Sequence, residues 1–485
     1  MNSILDREPK LVWKHFDEIR KIPHGSKHEE KIRDYIVDFA KKQELEYHVD
    51  KVGNVVIRAE ATKGMSSKPI VVMQGHMDMV CEKNSDTKHD FTKDPLELQI
   101  EGDWLKAKGT TLGADNGIGC AIALAALEDK TLEHGPLEAL FTVDEETGLT
   151  GAFALEKSML HGRLMLNLDS EELGSIYVGC SGGGDSLITL PLKTKTMPSD
   201  YDTVELKVTG LRGGHSGVDI LEQRANAIKV LVRVINAGFK VHKLYIADIK
   251  GGNLRNAIPR EAFAILGVKS KIKEETIKAF KATAVAILEE YKPVDKDLCL
   301  EVKSGKDVTK AKTVMGSELS RTIIDMLLAQ HHGILAMSLD MPGLVETSCN
   351  LAVVTIDKKD LRIQMSSRSS IKSALQSTRD RIRAVAELAG AKVEEPDAYP
   401  GWKPDLKSKL LAITKVAYKE ISGKEPQFKA IHAGLETGII GERFPGMDMV
   451  SIGPDIKYPH SPDEKVQMGT VVELYRVVAR VLKKV

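Results

Sequence analysis

Val71-Val72-Met73-Gln74-Gly75-His76-Met77-Asp78-Met79-Val80 is the stretch from which the rest of the chain can be placed. An apolar run that begins at Ile70 ends in a glycine, and His76 and Asp78 follow one residue apart. On extended backbone that spacing sends both side chains to one face. A neutral imidazole nitrogen can ligate a metal, and a nearby carboxylate can hold the ring in place. The stretch therefore reads as a buried strand with a polar pair at its carboxyl end, where open α/β sheets place their chemistry.

The bulk composition narrows the classes. With 485 residues the chain exceeds one ordinary core, so two domains are expected. Hydrophobic residues make up 42% and charged residues 28%, as in a globular protein. The 69 basic and 69 acidic residues cancel, which argues against a nucleic-acid surface. Residues 1–10 hold no long apolar core, and no apolar run reaches membrane-spanning length, so neither a leader nor a membrane span is expected. Five cysteines, at 81, 120, 180, 299 and 349, form no Cys-x-x-Cys and read as reduced, mostly buried thiols of a cytoplasmic protein.

Working outward, residues 10–22 and 29–42 have helical periodicity, and Ser26 with Glu29 reads as a capping box for the second helix. His28-Glu29 reads as surface. Strands are expected at 55–59, 70–75 and 104–107. Thr110-Thr111-Leu112-Gly113-Ala114-Asp115-Asn116-Gly117 leads into a helix over 117–128. The strand 137–143 runs into Asp144-Glu145-Glu146, and the strand 164–168 ends in Asp169. Alternating strands and helices indicate a mostly parallel α/β sheet. Near residue 187 the character changes to half-exposed strands, beginning with 203–208. Gly213-Gly214-His215-Ser216-Gly217 is read as a turn into a helix over 218–236, and a strand is expected over 361–365. The proline-rich segment 395–404 reads as a linker. The first style then returns, with helices over 405–421 and 464–483 and strands over 427–431 and 447–452. The reading is an α/β catalytic domain (1–186 and 397–485) interrupted by an inserted α+β domain (187–396).

The candidates for chemistry are His76, Asp78, Asp115, Glu145, Glu146, Asp169 and His460. Each has an ordinary explanation by itself. Asp144-Glu145-Glu146 could be a solvated charge run, Asp115 a helix N-cap, Asp169 a loop acid and His460 a loop histidine. Together they are harder to dismiss, because nearly every core strand expected in one domain ends in a potential ligand. Two histidines with several carboxylates match the N and O donors that zinc accepts. A bridging carboxylate with two further ligands per metal needs five groups, and His76, Asp115, Glu146, Asp169 and His460 supply five. That leaves Glu145 as a base. Two ions about 3.5–4 Å apart can activate one water between them, with a carboxylate moving its proton. There is no dinucleotide or phosphate loop and no nucleophile elbow.

Gly75-His76-Met77-Asp78, Gly113-Ala114-Asp115-Asn116, Asp144-Glu145-Glu146-Thr147-Gly148, Asn167-Leu168-Asp169 and Pro459-His460-Ser461-Pro462 resemble, in this order, the co-catalytic zinc peptidases that include aminoacylase and glutamate carboxypeptidase. Within them the likeness is to the branch that cleaves Xaa-His, carnosine-like dipeptides. It spans essentially the whole chain. It implies that His76, Asp115 and Asp169 bind one metal, and Asp115, Glu146 and His460 the other. Asp78 would orient His76, Glu145 would be the general base, and the Asp115–Asn116 peptide would be cis. In the insertion, His215 resembles the lid histidine that polarises the scissile carbonyl. Arg368 resembles the lid arginine that grips the substrate carboxylate, and Asn256 is a further lid candidate. His432-Ala433-Gly434-Leu435-Glu436 resembles the segment near the peptide's amino end, where Glu436 would meet the ammonium.

The resemblance thus implies a cytoplasmic metallodipeptidase using two divalent ions, Zn2+ with Co2+ or Mn2+ as alternatives, and a homodimer through the inserted domain. The alternatives within enzymes are an N-acyl amino acid hydrolase or a tripeptidase. From another class, the alternative is a catalytically silent metal-stabilised scaffold or peptide binder, which would lack a ligand or the base.

Overall fold

The computed structural model describes residues 3–485, so Met1 and Asn2, at the head of the segment read for a leader, lie outside it. The chain forms two compact units. Of the described residues, the first comprises 3–180, 402–430 and 435–485, and the second 181–401 and 431–434.

The first unit is built on an eight-stranded sheet with Val71–His76 near its middle. Val71–His76 runs parallel to both Leu137–Thr142 and Leu164–Asn167, and Leu164–Asn167 runs parallel to Asp448–Ser451. All residues of Val71–His76 and Leu137–Thr142 are buried, which is why their sequences are apolar runs and not alternations. The flanking pairs are antiparallel, Glu46–Val49 with Val55–Ala59 and Val55–Ala59 with Leu137–Thr142. Because the central strands are parallel, their carboxyl ends lie at one edge, and His76, Asp144, Glu145, Glu146 and Asp169 follow there.

Helix Ala114–Glu128 is alanine-rich and buried on nearly every side, and helix Lys10–Ile19 packs on it. Its first turn is irregular at Asp115 and Asn116, and the Asp115–Asn116 peptide is cis. The Asn116 amide donates to the Leu168 carbonyl at 2.7 Å, tying the start of this helix to the end of the Leu164–Asn167 strand. Gly119 faces that junction. A Cβ there would meet the Leu168 carbonyl at 2.6 Å, so only glycine lets the two backbones approach.

The second unit holds a nine-stranded antiparallel sheet. Its strand Tyr201–Thr209 alternates buried and half-buried residues, as a sheet with one covered face requires. Helix Ala227–Val241 packs on it beside Lys273–Tyr291 and Ser317–Ala329. Among the described residues no helix is long and apolar enough to cross a membrane. All five cysteines are free, with 120, 180 and 349 buried and 81 and 299 exposed.

Several expectations shift. Gly182–Pro191 pairs along its whole length with Asp360–Ser369, so a boundary at 186/187 would cut a continuous strand. At the other end Tyr399 pairs with Gly183, which carries the segment 395–401 into the second unit, past the expected limit at 396/397. The helix expected over 218–236 starts only at Ala227, because Asn226 caps it by accepting from the amides of Ile228 and Lys229. Residues 220–222 form a separate 3-10 turn before it. Ser26 and Glu29 make no capping box. The Ser26 hydroxyl donates to Asp78, and Glu29, which is buried, accepts from the amides of Lys27 and Asp144.

Candidate metal centre and substrate-binding residues

At the carboxyl edge of the parallel strands the side chains converge. His76 is buried, and its Nδ1 lies 3.0 Å from the Asp78 carbonyl, so Nδ1 donates there and Nε2 is the nitrogen turned toward the carboxylates. That Nε2 stands 3.2 Å from Asp115 Oδ1 and 3.2 Å from Asp169 Oδ1. His460, arriving from the far end of the chain on a residue with φ of 59°, places its Nε2 3.2 Å from Asp115 Oδ2 and 3.1 Å from Glu146 Oε2. Asp115 therefore turns one oxygen to each imidazole. His76, Asp115 and Asp169 form one group whose ligand atoms lie within 4.8 Å of one another, and Asp115, Glu146 and His460 form a second. Glu145 also offers an oxygen within that distance of His76 and Glu146.

The electrostatics show what such crowding requires. Burial opposes a charge on His76, yet Asp169, Asp115 and Asp78 hold its imidazole well above the ordinary range. Hydrogen bonds to Asp115 and Glu146 push His460 up to about 11. Burial raises Asp169 to about 6 against the pull of His76. Burial would raise Asp115 too, but the two imidazoles hold it below the usual carboxylate range. Glu146 Oε1 and Asp169 Oδ1 are buried without a hydrogen-bond partner. The three carboxylates of Asp115, Glu146 and Asp169 crowd around two imidazoles, with unshared lone pairs aimed inward. Divalent cations bound by N and O donors fit that arrangement.

Glu145 stands apart from the five. Burial raises its carboxyl well above the ordinary range; His76 works against the rise, and Asp169, Glu436 and Glu146 add to it. The turn that carries it, Glu145–Gly148, is held by Asp78. Asp78 Oδ1 accepts from the Glu145 amide at 3.0 Å, and Oδ2 accepts from the Glu146 amide at 3.2 Å and the Ser26 hydroxyl at 2.8 Å. The Asp78 carboxylate lies 3.4 Å from His76 Nδ1, farther than its own carbonyl, so it orients the Glu145 turn more directly than the ring. Asp144 in turn accepts from the hydroxyls of Thr147 and Thr150.

Beneath the cluster runs a buried polar layer. Glu436 is 0% exposed, and its Oε2 accepts from Gln74 and Thr142, each at 2.6 Å. Asn167 donates to Gln74 Oε1 at 2.6 Å. Glu436 Oε1 is buried with no partner, and burial pushes this carboxyl up to about 7. Gln74, Thr142 and Asn167 sit two residues before His76, Asp144 and Asp169. Sequence reading singles out Glu436 but passes over Gln74, Thr142 and Asn167, though a polar residue inside each apolar run is a legible signal. Glu464 was also passed over. It is buried and accepts from four main-chain amides over Leu112–Asp115.

In the second unit, His215 lies in the two-residue strand Gly214–His215, paired with Ala257–Ile258. Its Nδ1 accepts from the amides of Gly217 at 3.3 Å and Val218 at 3.1 Å, which puts the ring proton on Nε2. Burial, then Arg368, lower its pKa, so the ring is neutral. Arg368 Nη2 lies 3.4 Å from His215 Nε2, so two donors converge. Arg368 sits within Asp360–Ser369 rather than after the strand, only 7% exposed, and its Nη1 donates to the Tyr399 hydroxyl at 3.1 Å. His432 donates to or accepts from Ser348 at 2.7 Å. Asn256 is exposed, and its main-chain carbonyl accepts from the Ser216 amide at 2.7 Å.

The family model for peptidase family M20/M25/M40 matches residues 72–484. The chain belongs to this family. This M20 chain is 42% identical over 486 aligned residues to the cytosol non-specific dipeptidase of Escherichia coli, covering 100% of the chain and 99% of that protein. It is also 42% identical to the aminoacylhistidine dipeptidase of Vibrio alginolyticus, whose crystal structure superposes with a TM-score of 0.94, covering 100% and 98% of the two chains. An aminopeptidase from Bacillus cereus shares the fold at 16% identity, with a TM-score of 0.55 over 98% of each chain. The α/β catalytic body with an inserted α+β domain is the M20 fold.

Proposed function

We infer that the chain is a two-metal dipeptidase, acting on dipeptides with Xaa-His among them. The observation that carries it is Asp115, whose two carboxylate oxygens each face a different imidazole. The similarity to two dipeptidases over the full length supports the substrate class. His76, Asp115 and Asp169 would hold one ion and Asp115, Glu146 and His460 the other. Zinc suits the donors, and cobalt or manganese would also be accepted. When bound, the ions supply Lewis acidity that lowers the pKa of a water to about 7 and steadies negative charge on the carbonyl oxygen.

The side chains do the rest. Glu145 takes the proton of the attacking water as its oxygen bonds to the carbonyl carbon, then passes that proton to the departing amide nitrogen. A carboxyl raised by burial is suited to both halves of the task. Asp78 keeps Glu145 in place through the two main-chain amides it accepts. His215, a neutral ring with its proton on Nε2, would donate to the scissile carbonyl oxygen. Arg368 would take the substrate carboxylate. It is a nearly buried guanidinium with no acidic side chain within ion-pair reach among the described residues, and its Nε has no partner. Such a cation favours an anionic ligand. The unpartnered Oε1 of Glu436 would take the ammonium, and Asn256 would contact the substrate from the insertion.

A cytoplasmic homodimer through the inserted domain completes the reading. The open edge of its sheet at Cys299–Ser304 supports the dimer, since an edge strand can pair with a second copy. Sedimentation of the purified chain tests it, and a monomer at micromolar concentration would remove it. The function is tested by metal stoichiometry and by rates on Ala-His, a tripeptide and an N-acetyl amino acid, before and after chelation. Two ions per chain with rapid, chelator-sensitive cleavage of the dipeptide is the expected result. Preference for the acylated substrate would replace the reading by an N-acyl amino acid hydrolase, since an acylated amine cannot pair with Glu436.

A further inference from the structure

Helix Ala114–Glu128 lacks a cap of its own. The residue before it is Gly113, with φ of 66° and no side chain to offer, so its leading amides need an acceptor from elsewhere. Glu464, 349 residues beyond Asp115 and 2% exposed, supplies it. Its Oε2 accepts from the amides of Leu112 at 2.7 Å and Gly113 at 3.0 Å, and its Oε1 from those of Ala114 at 2.8 Å and Asp115 at 3.2 Å. A carboxylate has about four lone-pair sites, and here each has a donor. No cationic side chain pairs with Glu464 among the described residues.

The other end of Glu464 is equally constrained. Its amide donates to the Ser461 carbonyl at 3.0 Å, closing the turn that begins directly after His460. Lys465–Gln467 then pairs with Trp104–Ala107, the strand that leads toward Leu112. One carboxylate thus joins the loop that presents Asp115 to the turn that presents His460. The Asp115 loop runs into the irregular first turn of Ala114–Glu128, and the His460 turn lies between the paired strands Ile456–Lys457 and Lys465–Gln467.

We propose that Glu464 is a positioning residue of the metal centre, setting the Asp115 carboxylate against the His460 imidazole so that the two converge on one cation. The proposal rests on the reading of the centre given above. Glutamine at this position keeps the shape but replaces one accepting oxygen with an NH2 group that would face two amide donors. Aspartate is one methylene too short to span the four amides.

The test compares zinc binding by the wild-type chain and Glu464→Gln, by competition with a chromophoric chelator. Loss of a partner that orients ligands costs about 10–100-fold in metal affinity, so the ion held by Asp115, Glu146 and His460 should weaken by about tenfold or more, and by more than the ion that shares only Asp115 with it. Equal weakening of both ions with a lowered melting temperature would reduce Glu464 to a structural role and overturn the proposal. So would two ions bound by E464Q as tightly as by the wild type. A wild-type chain that binds no zinc would overturn the parent reading as well. A second measurement needs no variant: hydrogen exchange on the metal-free wild type should show protected amides at Leu112–Asp115. Exchange there as fast as in an unstructured chain would overturn the proposal.

Discussion

Asp115 Oδ2 lies 3.2 Å from His460 Nε2, although 345 residues separate them in the chain, while Oδ1 of the same carboxylate lies 3.2 Å from His76 Nε2. One side chain thus organises two histidines from opposite ends of the polypeptide. It does so from an irregular first helical turn whose amides are held by Glu464 rather than by any local residue.

Glu145→Gln is expected to retain two ions per chain and lose about 10²–10⁴-fold in kcat, the usual contribution of a positioned general base. The five ligand candidates are untouched by the change, so metal content separates chemistry from assembly. Metal analysis with steady-state kinetics on one dipeptide checks this. Full activity would remove Glu145 from the mechanism.

Tyr399→Phe is expected to raise KM by about tenfold with little change in kcat, because one hydrogen bond to a charged group is worth about 1.5 kcal/mol or somewhat more. The Tyr399 hydroxyl accepts from Arg368 Nη1, and its ring lies against Gly183 and Gly434, where a Cβ would collide with it. The same substitution should have little effect on a dipeptide amide, which lacks the carboxylate that Arg368 would hold. Equal losses on both substrates would place Tyr399 outside carboxylate recognition.

His332 gives the second unit an acid-sensitive component of stability. Burial first, then Lys229 and His331, lower its pKa from 6.5 to about 3 in the folded chain. Between those values the unfolded chain binds a proton that the folded chain refuses, so stability rises with pH. The contribution is complete above about 6.5, declines as the pH falls, and levels off below about 3. At pH 5 the loss should be about 2 kcal/mol. Urea unfolding of the wild type and His332→Gln at pH 7 and pH 5 checks it. The variant should lose less stability on acidification, and an equal loss in both would assign the sensitivity elsewhere.

Much of the first unit was legible from residue order. Val71–His76, Leu137–Thr142 and Leu164–Asn167 stand out because parallel strands buried on both faces are predominantly apolar. His76, Glu146 and Asp169 stand out because each lies at or just beyond the end of such a run, whereas Asp115 opens a helix and His460 lies in a turn. The capping box at Ser26 and Glu29 misread the chain for an equally physical reason. Local sequence offers both side chains their nearest amides, but Asp78 and the Asp144 amide, distant in sequence, compete for them and prevail. The glycines upstream suggest an early helix start, but Asn226, whose side chain accepts from the Ile228 and Lys229 amides, sets it at Ala227.

By itself the sequence determined the strand and helix types, the order of the candidate ligands and the existence of an insertion, since these follow from local hydrophobic periodicity and from which residue types can bind a cation. Only the tertiary structure decided that Asp115 divides its oxygens between His76 and His460, that Glu464 grips the loop before Asp115, and that Gln74, Thr142, Asn167 and Glu436 form a floor under the centre. Those relationships are set by contacts across hundreds of residues, whose geometry depends on how strands pair and loops close, and no local pattern encodes it.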